Sequence, residues 1–280
     1  MHGMKYGLNI LKSMLVLALI ILLGFSSCEK RAYRDAEKKN TIEGYGQFIK
    51  KYPDSKLRQS AEGHIAHLYF EQAFKKNTVQ AYEDYLKRFP QTISGPIVIA
   101  NLTVLVDPEI KRLGIEQMAK MSATIKTDLG NIKLKLLPEN APETCRNFIR
   151  LAKIHFYDST QFNLLIPGVL VQGGSPQGDP KGGPGYTIKA EFNELPNIPG
   201  AVGMVREEHP DSAGSQFYIC LRSMPERDGK YTVFGQVVEG LEVVEALSNL
   251  ESSGPEAKPA PYQPVKPALI RTIEISQERP

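Results

Sequence analysis

The stretch F-N-L-L-I-P-G-V-L-V-Q-G-G, which runs from Phe162 to Gly174, carries the strongest fold signal in this chain. Two later stretches belong with it: S-A-G-S-Q-F-Y-I-C over Ser212–Cys220 and D-G-K-Y-T-V-F-G over Asp228–Gly235. In each of them a short apolar run is bounded by glycine, proline or polar residues. This pattern is typical of short β-strands joined by turns.

The sequence around these stretches continues the pattern. Residues 123–127 alternate between apolar and polar side chains, turn at Asp128–Asn131 and resume over Ile132–Leu136, which predicts a β-hairpin. The other predicted elements are helices near Glu143–His155 and Val243–Asn249, short strands at Val169–Val171, Ala201–Met204, Phe217–Leu221 and Val233–Val238, and a last strand at Ile270–Ile275. Short strands at regular spacing indicate an antiparallel barrel or sandwich.

Residues 121–277 resemble the cyclophilin family of peptidyl-prolyl cis-trans isomerases. The resemblance rests on the three stretches above, on A-P-E-T at Ala141–Thr144, and on G-G-P-G-Y at Gly182–Tyr186 followed by A-E-F at Ala190–Phe192. It implies an antiparallel eight-stranded β-barrel capped by two helices. The glycines at 182–185 are interpreted as a turn, because neither a Gly-Lys-Ser/Thr sequence nor a strand–loop–helix unit accompanies them, as a phosphate-binding loop requires.

The chemistry that the resemblance implies is rotation about the bond that precedes a proline. Amide resonance sets a barrier of about 18–20 kcal/mol to this rotation. A catalyst needs an apolar pocket for the proline ring, groups that hold the flanking carbonyls, and a donor aimed at the twisted amide. Because no nucleophile is required, we expect neither a cofactor nor a metal site, and proline-containing polypeptides as substrates.

The family's site residues can be carried over by position. Gln172 and Gln216 match glutamines that hold the substrate backbone, and Tyr231 stands in for a pocket histidine, so these three are the predicted catalytic residues. The predicted substrate-binding positions are Leu164, Val169, Leu170, Met204, Val205, Arg206, Tyr218 and Arg227. Val169 replaces a phenylalanine, which predicts a wider pocket. Alternatively, the two glutamines satisfy backbone groups of the barrel.

Leu164 is the main departure from the family pattern, because it stands where cyclophilins usually place a catalytic arginine. Leucine has no hydrogen-bond donor, and the loss of one transition-state donor typically lowers kcat by on the order of 10²–10³. Arg206 or Arg222 could replace it only if the guanidinium reached the same place, since its geometry is strict. We therefore expect weak activity.

The N-terminus has the features of an export signal. Lys5 and Lys12 precede the uncharged apolar run Met14–Leu23, which is too short to cross a bilayer. Small residues then precede Cys28, and this arrangement resembles a bacterial lipobox. We predict a signal peptide over residues 1–27 and lipidation of Cys28, which places the protein at the bacterial cell envelope, facing the periplasm or the exterior. An ordinary secretory signal or an uncleaved anchor is the alternative.

A repeat precedes the predicted barrel. A-E-K-K-N-T at Ala36–Thr41 recurs as A-F-K-K-N-T at Ala73–Thr78, and a second pair of segments, each ending in proline, recurs at the same offset. Thr41 and Thr78 are predicted N-caps, and Pro53 and Pro90 are predicted to stop helices. Residues 28–96 resemble tetratricopeptide-like helical hairpins, which suggests a protein partner. Residues 97–120 are interpreted as a linker or packing segment before the barrel.

Composition narrows the remaining function classes. The 280 residues are 41% hydrophobic and 23% charged, with a net charge of +3 that includes Lys5 and Lys12 of the signal peptide. Such a balance gives no electrostatic reason to expect nucleic-acid binding. Cys145 and Cys220 are interpreted as two buried free thiols. His64 and His67 are interpreted as surface residues, because neither a cysteine nor a third histidine accompanies them.

Three functions are consistent with these features. The first is an envelope-anchored prolyl isomerase that assists the folding of exported proteins. The second is a non-catalytic lipoprotein that binds proline-containing segments, which Leu164, Val169 and Glu226 favour. The third makes the helical repeat the functional part and the barrel a scaffold.

Overall fold

The computed structural model describes residues 28–89, 94–176, 178, 182–258 and 261–277. The signal-peptide prediction for residues 1–27 and the helix stop at Pro90 lie outside these residues. The chain divides into two compact units, one ending at Ser94 and one beginning at Gly95. Each is described separately.

The described part of the first unit contains four helices. They are α1 (residues 28–39), α2 (Ile42–Lys51), α3 (Arg58–Lys76) and α4 (Val79–Arg88). The Thr41 hydroxyl accepts a hydrogen bond from the Gly44 N–H at 3.1 Å, and the Thr78 hydroxyl accepts one from the Ala81 N–H at 3.2 Å. The predicted N-caps are therefore confirmed, and α2 ends before Pro53 as predicted.

Aromatic side chains form the core of this unit. The ring centroids of Tyr33 and Phe48 are 5.2 Å apart in an edge-on arrangement, and Tyr45 stacks on His64 at 4.8 Å. In the second repeat, Tyr82 and Tyr85 are buried as well. None of the described helices is long and apolar enough to span a membrane.

The second unit begins with two helices and continues as a closed barrel. Its elements are α5 (Gly95–Arg112), α6 (Ile115–Ala119), β1 (Met121–Thr127), β2 (Gly130–Leu136), α7 (Pro142–Lys153), β3 (Thr160–Ile166), β4 (Leu170–Ser175), β5 (Ala201–Met204), β6 (Phe217–Cys220), β7 (Val233–Glu239), α8 (Leu241–Ser248) and β8 (Ala268–Gln277). Short 3₁₀ turns lie at Pro210–Ser212 and Pro225–Arg227.

The barrel has the strand order β1-β2-β7-β5-β6-β4-β3-β8, and every neighbouring pair is antiparallel. The hairpin predicted over residues 123–136 is present, with its turn at Asp128 and Leu129. The eight-stranded antiparallel barrel expected from the sequence is confirmed, as are helices close to the two predicted positions, α7 and α8.

Helix α7 packs its apolar face on the barrel interior. Phe148 lies 5.2–5.7 Å, between ring centroids, from Tyr157, Phe217 and Phe234, and all four rings are fully buried. The N-terminus of α7 is stabilised by Glu191, whose carboxylate accepts hydrogen bonds from the backbone N–H groups of Glu143 and Thr144. A carboxylate there satisfies otherwise unpaired donors and complements the helix dipole.

Helix α5 covers most of residues 97–120, which were predicted to be a linker or packing segment. Its buried residues Val98, Leu102, Val106 and Ile110 recur every four positions and therefore share one face. The helix packs against α7, and three polar contacts add to this packing: Asp107 with Arg150, Glu109 with Lys153, and the Leu113 carbonyl with the Arg146 guanidinium.

The two cysteines of the barrel unit, Cys145 and Cys220, are buried and unpaired, as predicted. Burial raises the pKa of each thiol to about 12. Both are therefore neutral side chains of the core at physiological pH.

Candidate active site

A row of directly opposed residues crosses four strands on one face of the barrel. In the strand register Leu164 on β3 lies opposite Gln172 on β4, Gln172 lies opposite Tyr218 on β6, and Tyr218 lies opposite Gly203 on β5. Directly opposed residues in antiparallel strands project to the same face. The register therefore brings three of the predicted site residues together, although they are far apart in sequence.

Gly203 makes room for this row. A Cβ atom at Gly203 would lie 2.3 Å from the hydroxyl oxygen and the adjacent ring carbon of Tyr218. Only a residue without a side chain lets the Tyr218 ring lie flat against β5. Sequence reasoning did not single out Gly203, because the need for a glycine appears only once β5 and β6 are paired.

An apolar cluster, called the candidate proline pocket below, lies beside the row. Tyr218 is fully buried at its centre, with Leu170, Cys220, Met224 and Val233. Partly buried side chains pack against this cluster and include the predicted site residues Leu164, Val169, Val205 and Tyr231. The pocket has the aliphatic and aromatic lining that a proline ring requires.

Met204 lies elsewhere. It is opposite Phe217 in the β5–β6 register, and Phe217 packs against Phe148, Tyr157 and Phe162 in the barrel interior. Met204 therefore shares the interior face of β5, whereas Gly203 and Tyr218 share the pocket face. Met204 was predicted to bind substrate, but the strand register places it on the face opposite the pocket.

Gln216 is the centre of a hydrogen-bond network. Its side-chain carbonyl accepts hydrogen bonds from the side-chain amides of Gln172 at 3.0 Å and Asn163 at 3.1 Å, and its own amide donates to the Gly182 carbonyl at 2.8 Å. Asn163 reaches Gln216 because a β-bulge lies between Phe162 and Leu164. The bulge re-aims Asn163, a residue that sequence reasoning missed.

A second network fixes the Tyr218 ring from its polar end. The Tyr218 hydroxyl donates to the Asn197 side-chain oxygen at 2.6 Å, and Asn197 donates from its backbone and side-chain nitrogens to the Asp228 carboxylate at 2.8 and 2.9 Å. These bonds from Asn197 hold the pKa of Asp228 below its ordinary value, and burial raises the pKa of Tyr218. Tyr218 is therefore a neutral phenol whose orientation is fixed.

Two guanidinium groups flank Tyr231. The guanidinium carbon of Arg206 lies 4.9 Å from the Tyr231 ring centroid, and that of Arg227 lies 4.8 Å from it. Arg227 also lies 4.5 Å from the centroid of Tyr218. Contacts of this kind are worth about 0.5–2 kcal/mol and depend on how far the cation is desolvated. The aromatic edge of the pocket is thus covered by positive charge.

Arg206 and Arg222, the two candidates to replace the family's arginine, differ in their hydrogen bonding. Arg206 donates from Nε to the Lys230 carbonyl and from Nη1 to the carbonyls of Glu207 and Glu208. Backbone carbonyls therefore occupy two of its three nitrogens. Arg222 is exposed, and it makes no side-chain hydrogen bond or ion pair within the part of the chain that the structure describes.

A cavity of about 550 Å³ adjoins the glutamine network. One part of its wall is formed by residues 182–187, and an adjoining part by Val205–Glu207, Ser212 and residues 214–216, which include Gln216. Because Gln216 belongs both to this wall and to the hydrogen-bond network, a peptide held by the glutamines would extend into the cavity.

Comparisons with known proteins agree with this geometry. A family model described as "cyclophilin type peptidyl-prolyl cis-trans isomerase/CLD" matches residues 122–274. A peptidyl-prolyl cis-trans isomerase of Helicobacter pylori is 41% identical over 152 residues, which cover 51% of this chain and 91% of the relative. Peptidyl-prolyl cis-trans isomerase B of Bacillus subtilis is 44% identical over 124 residues, which cover 44% of this chain and 86% of the relative.

A solved structure gives the same result. The crystal structure of a Cryptosporidium parvum cyclophilin type peptidyl-prolyl cis-trans isomerase matches with a TM-score of 0.52 and 31% identity, and it covers 56% of this chain and 98% of that one. The family model spans more than half of the chain, and the barrel has the corresponding architecture. The chain therefore belongs to the cyclophilin-type peptidyl-prolyl cis-trans isomerase family.

Proposed function

We propose that this cyclophilin-type isomerase acts slowly on proline-containing segments of exported proteins, from a lipid anchor at the bacterial cell envelope. The observation that carries the proposal is the row formed by Leu164, Gln172 and Tyr218. It combines an apolar pocket and amide groups with a leucine where the family usually supplies a cationic donor.

The pocket accounts for substrate binding. The apolar cluster around Tyr218 takes the proline ring, and burial of that ring contributes about 25 cal/mol per Å² of apolar surface removed from water. Gln172 donates one hydrogen bond to Gln216, and the structure describes no other side-chain hydrogen bond for it. Its second N–H and its carbonyl oxygen are then available for the peptide backbone.

The same arrangement accounts for slow catalysis. The transition state carries a lone pair on the proline nitrogen and is stabilised by a donor aimed at the twisted amide. Leu164 has no donor, and two of the Arg206 nitrogens are bonded to backbone carbonyls. Binding in a fixed, desolvated pocket remains, and it lowers the barrier less than a charged donor does.

A non-catalytic proline-binding lipoprotein is the second candidate. It is favoured by Gln216, whose carbonyl accepts two hydrogen bonds and whose amide donates a third, all within the protein. In this function, Gln216 would stabilise the pocket instead of contacting the substrate.

The deciding experiment is cis-trans exchange of an Ala-Pro peptide, measured by NMR, with the chain from Glu29 onward. Acceleration by the native protein supports the isomerase, and Leu164→Arg should increase it. If the native protein binds the peptide without accelerating exchange, and Leu164→Arg accelerates it, the protein is instead a binding module. Its pocket would then be intact but would lack the catalytic donor.

The anchor is supported by the sequence before Cys28 and by charges on α1. Lys30, Arg34 and Lys38 are exposed at intervals of four residues, and exposed Arg31 lies beside them, on the side of the helix away from buried Tyr33 and Ala36. Basic residues near an anionic membrane contribute about 1 kcal/mol each. A cysteine acylated on its sulfur and its amine carries several chains, which would anchor the protein stably, and the basic face would add to this attachment.

Labelling with a radioactive fatty acid in a bacterial host tests the anchor. Cys28→Ser should abolish the label and move the protein out of the membrane fraction. Label that persists in Cys28→Ser would refute lipidation at this position.

The helical repeat is proposed to bind a protein partner. It is an independently compact unit, and its α3 helix exposes Phe74 to 55%. Deletion of residues 29–96 tests this role, because a partner that is still captured by the barrel alone does not depend on the repeat.

A further inference from the structure

Helix α5 lies outside residues 122–274, which the family model matches, yet one of its side chains connects to the wall of the substrate cavity. Asp107 on α5 accepts a hydrogen bond from Nη1 of Arg150 on α7 at 3.3 Å. Both side chains are mostly buried, with exposed fractions of 23% for Asp107 and 21% for Arg150. An ion pair that is shielded in this way is worth more than one at the surface.

Arg150 in turn supports Tyr186. Its guanidinium carbon lies 4.7 Å from the Tyr186 ring centroid, and Tyr186 is one of the residues that form the 182–187 wall of the cavity. The Tyr186 hydroxyl donates to the side-chain oxygen of Asn147, one turn before Arg150 on α7, at 2.6 Å. Two side chains of α7 therefore hold one tyrosine of the wall.

The same helix also holds the second part of the wall. The Asn147 amide donates to the Gly214 carbonyl at 2.8 Å, and Gly214 lies in the part of the wall that contains Gln216. Asn147 thus bonds to both parts of the wall, which also contact each other, since a Cβ at Gly214 would lie 2.8 Å from Cδ of Pro184. Arg150 contacts only the 182–187 part of the wall, through Tyr186. Asp107 supplies the carboxylate that holds Arg150 in place.

A second ion pair between the same helices distinguishes this role from simple helix packing. Glu109 accepts a hydrogen bond from Lys153 at 2.7 Å, also between α5 and α7, but among the residues that the structure describes neither forms a hydrogen bond or a cation–π contact with Tyr186. The Glu109–Lys153 pair is the more exposed of the two, with Glu109 61% exposed, so it contributes less to the attachment of α5. Only the Asp107–Arg150 pair continues to the cavity wall.

We propose that Asp107 and Arg150 are positioning residues for the peptide-binding cavity, so that α5, an element added before the barrel, sets how the enzyme binds extended substrates. The proposal rests on the proposed function in one respect, namely that the cavity receives the peptide beyond the proline pocket. Removal of the Asp107 charge leaves Arg150 partly buried without its carboxylate. Arg150 then turns towards water, and Tyr186 loses the cation that covers its ring.

The test compares Asp107→Asn with Glu109→Gln in the chain from Glu29 onward. Two peptides are titrated by NMR: a short Ala-Pro peptide, which fills the proline pocket alone, and one with several residues added on both sides. Asp107→Asn should weaken binding of the long peptide about fivefold, the equivalent of one lost hydrogen bond, and leave the short peptide unchanged. Glu109→Gln should change the affinity for neither peptide. Asp107→Glu, which keeps the carboxylate, should bind the long peptide as the native protein does.

The chemical shifts of the cavity-wall residues test the positioning role directly, without relying on peptide binding or isomerisation. The amide chemical shifts of Gly185, Tyr186 and Thr187 should change in Asp107→Asn and in Tyr186→Phe but not in Glu109→Gln, whether or not any peptide is bound or isomerised. Unchanged shifts in Asp107→Asn, or equal loss of the short and long peptides, would overturn the positioning role. Failure of the wild-type protein to bind either peptide, with the shift changes present, would refute the proposed function and leave the wall contact established.

Discussion

Leu164 and Gln172 face each other across the β3–β4 ladder, at the position where an arginine on β3 would point along the same face as the glutamine. The strand register thus places the two carried-over site positions on one face. We expect that one substitution at position 164 would supply the donor that the family's site has there.

Leu164→Arg should raise kcat/KM for an Ala-Pro peptide by on the order of 10²–10³, the amount that one transition-state donor typically contributes. Leu164→Met is the matched control, because it keeps an apolar side chain of similar size and should leave the rate unchanged. Exchange NMR or a protease-coupled assay provides the measurement. An arginine variant that folds and binds peptide but is no faster would show that position 164 does not limit catalysis.

Gly203→Ala should displace the Tyr218 ring, since the added Cβ would lie 2.3 Å from its atoms. We expect a loss of about 1–3 kcal/mol in the free energy of unfolding, as for other overpacked core positions, together with loss of peptide binding. Chemical denaturation and peptide titration measure the two effects. Gly254→Ala is the control, because no atom lies within 4 Å of a Cβ at that position. Equal stability of both variants would contradict this placement of Tyr218.

Cys145 and Cys220 should not react with a thiol reagent in the folded protein. At pH 8, a rise of the pKa to about 12 from an ordinary value near 9 lowers the thiolate fraction about a thousandfold. Burial also excludes the reagent. The measurement uses the chain from Glu29 onward, with and without guanidinium chloride. Both thiols should react after unfolding, and rapid reaction of either one before unfolding would show that the barrel opens locally.

The hydrogen-bond network of Asp228, Asn197 and Tyr218 should stabilise the fold less in acid. The pKa of Asp228 is lowered in the folded protein by the hydrogen bonds from Asn197, so its ionised form stabilises the fold. That contribution is complete above the unfolded-state pKa, near 3.8, and disappears as the pH falls through the lower folded-state value.

Denaturant unfolding of the wild type and of Asp228→Asn between pH 6 and pH 2 measures this contribution. The difference between the two free energies of unfolding should shrink as the pH falls below about 4, the ordinary range of an aspartate. A difference that is independent of pH would show that the Asp228 charge has no part in fixing Asn197 and Tyr218.

Much of the local structure followed from short-range sequence signals. The hairpin turn at Asp128, the caps at Thr41 and Thr78 and the helix near Glu143 depend on residues within a few positions of one another. Apolar runs between glycines and prolines indicated a barrel or sandwich, and the resemblance of residues 121–277 selected the barrel. The glutamines, Tyr218 and the departure at Leu164 were likewise identified by position in a motif.

The sequence by itself determined the local elements, the family and the identity of the side chains near the pocket. Only the tertiary structure decided that Met204 faces the interior, that Gly203 makes room for Tyr218, that backbone carbonyls hold Arg206, and that Asp107 reaches the cavity through Arg150. The physical reason is that side chains alternate along a strand, so a shift of one residue in register reverses which face each one occupies. Outside the β1–β2 hairpin, whose alternation and turn specify its register, the register is fixed by packing between strands and helices that are distant in sequence.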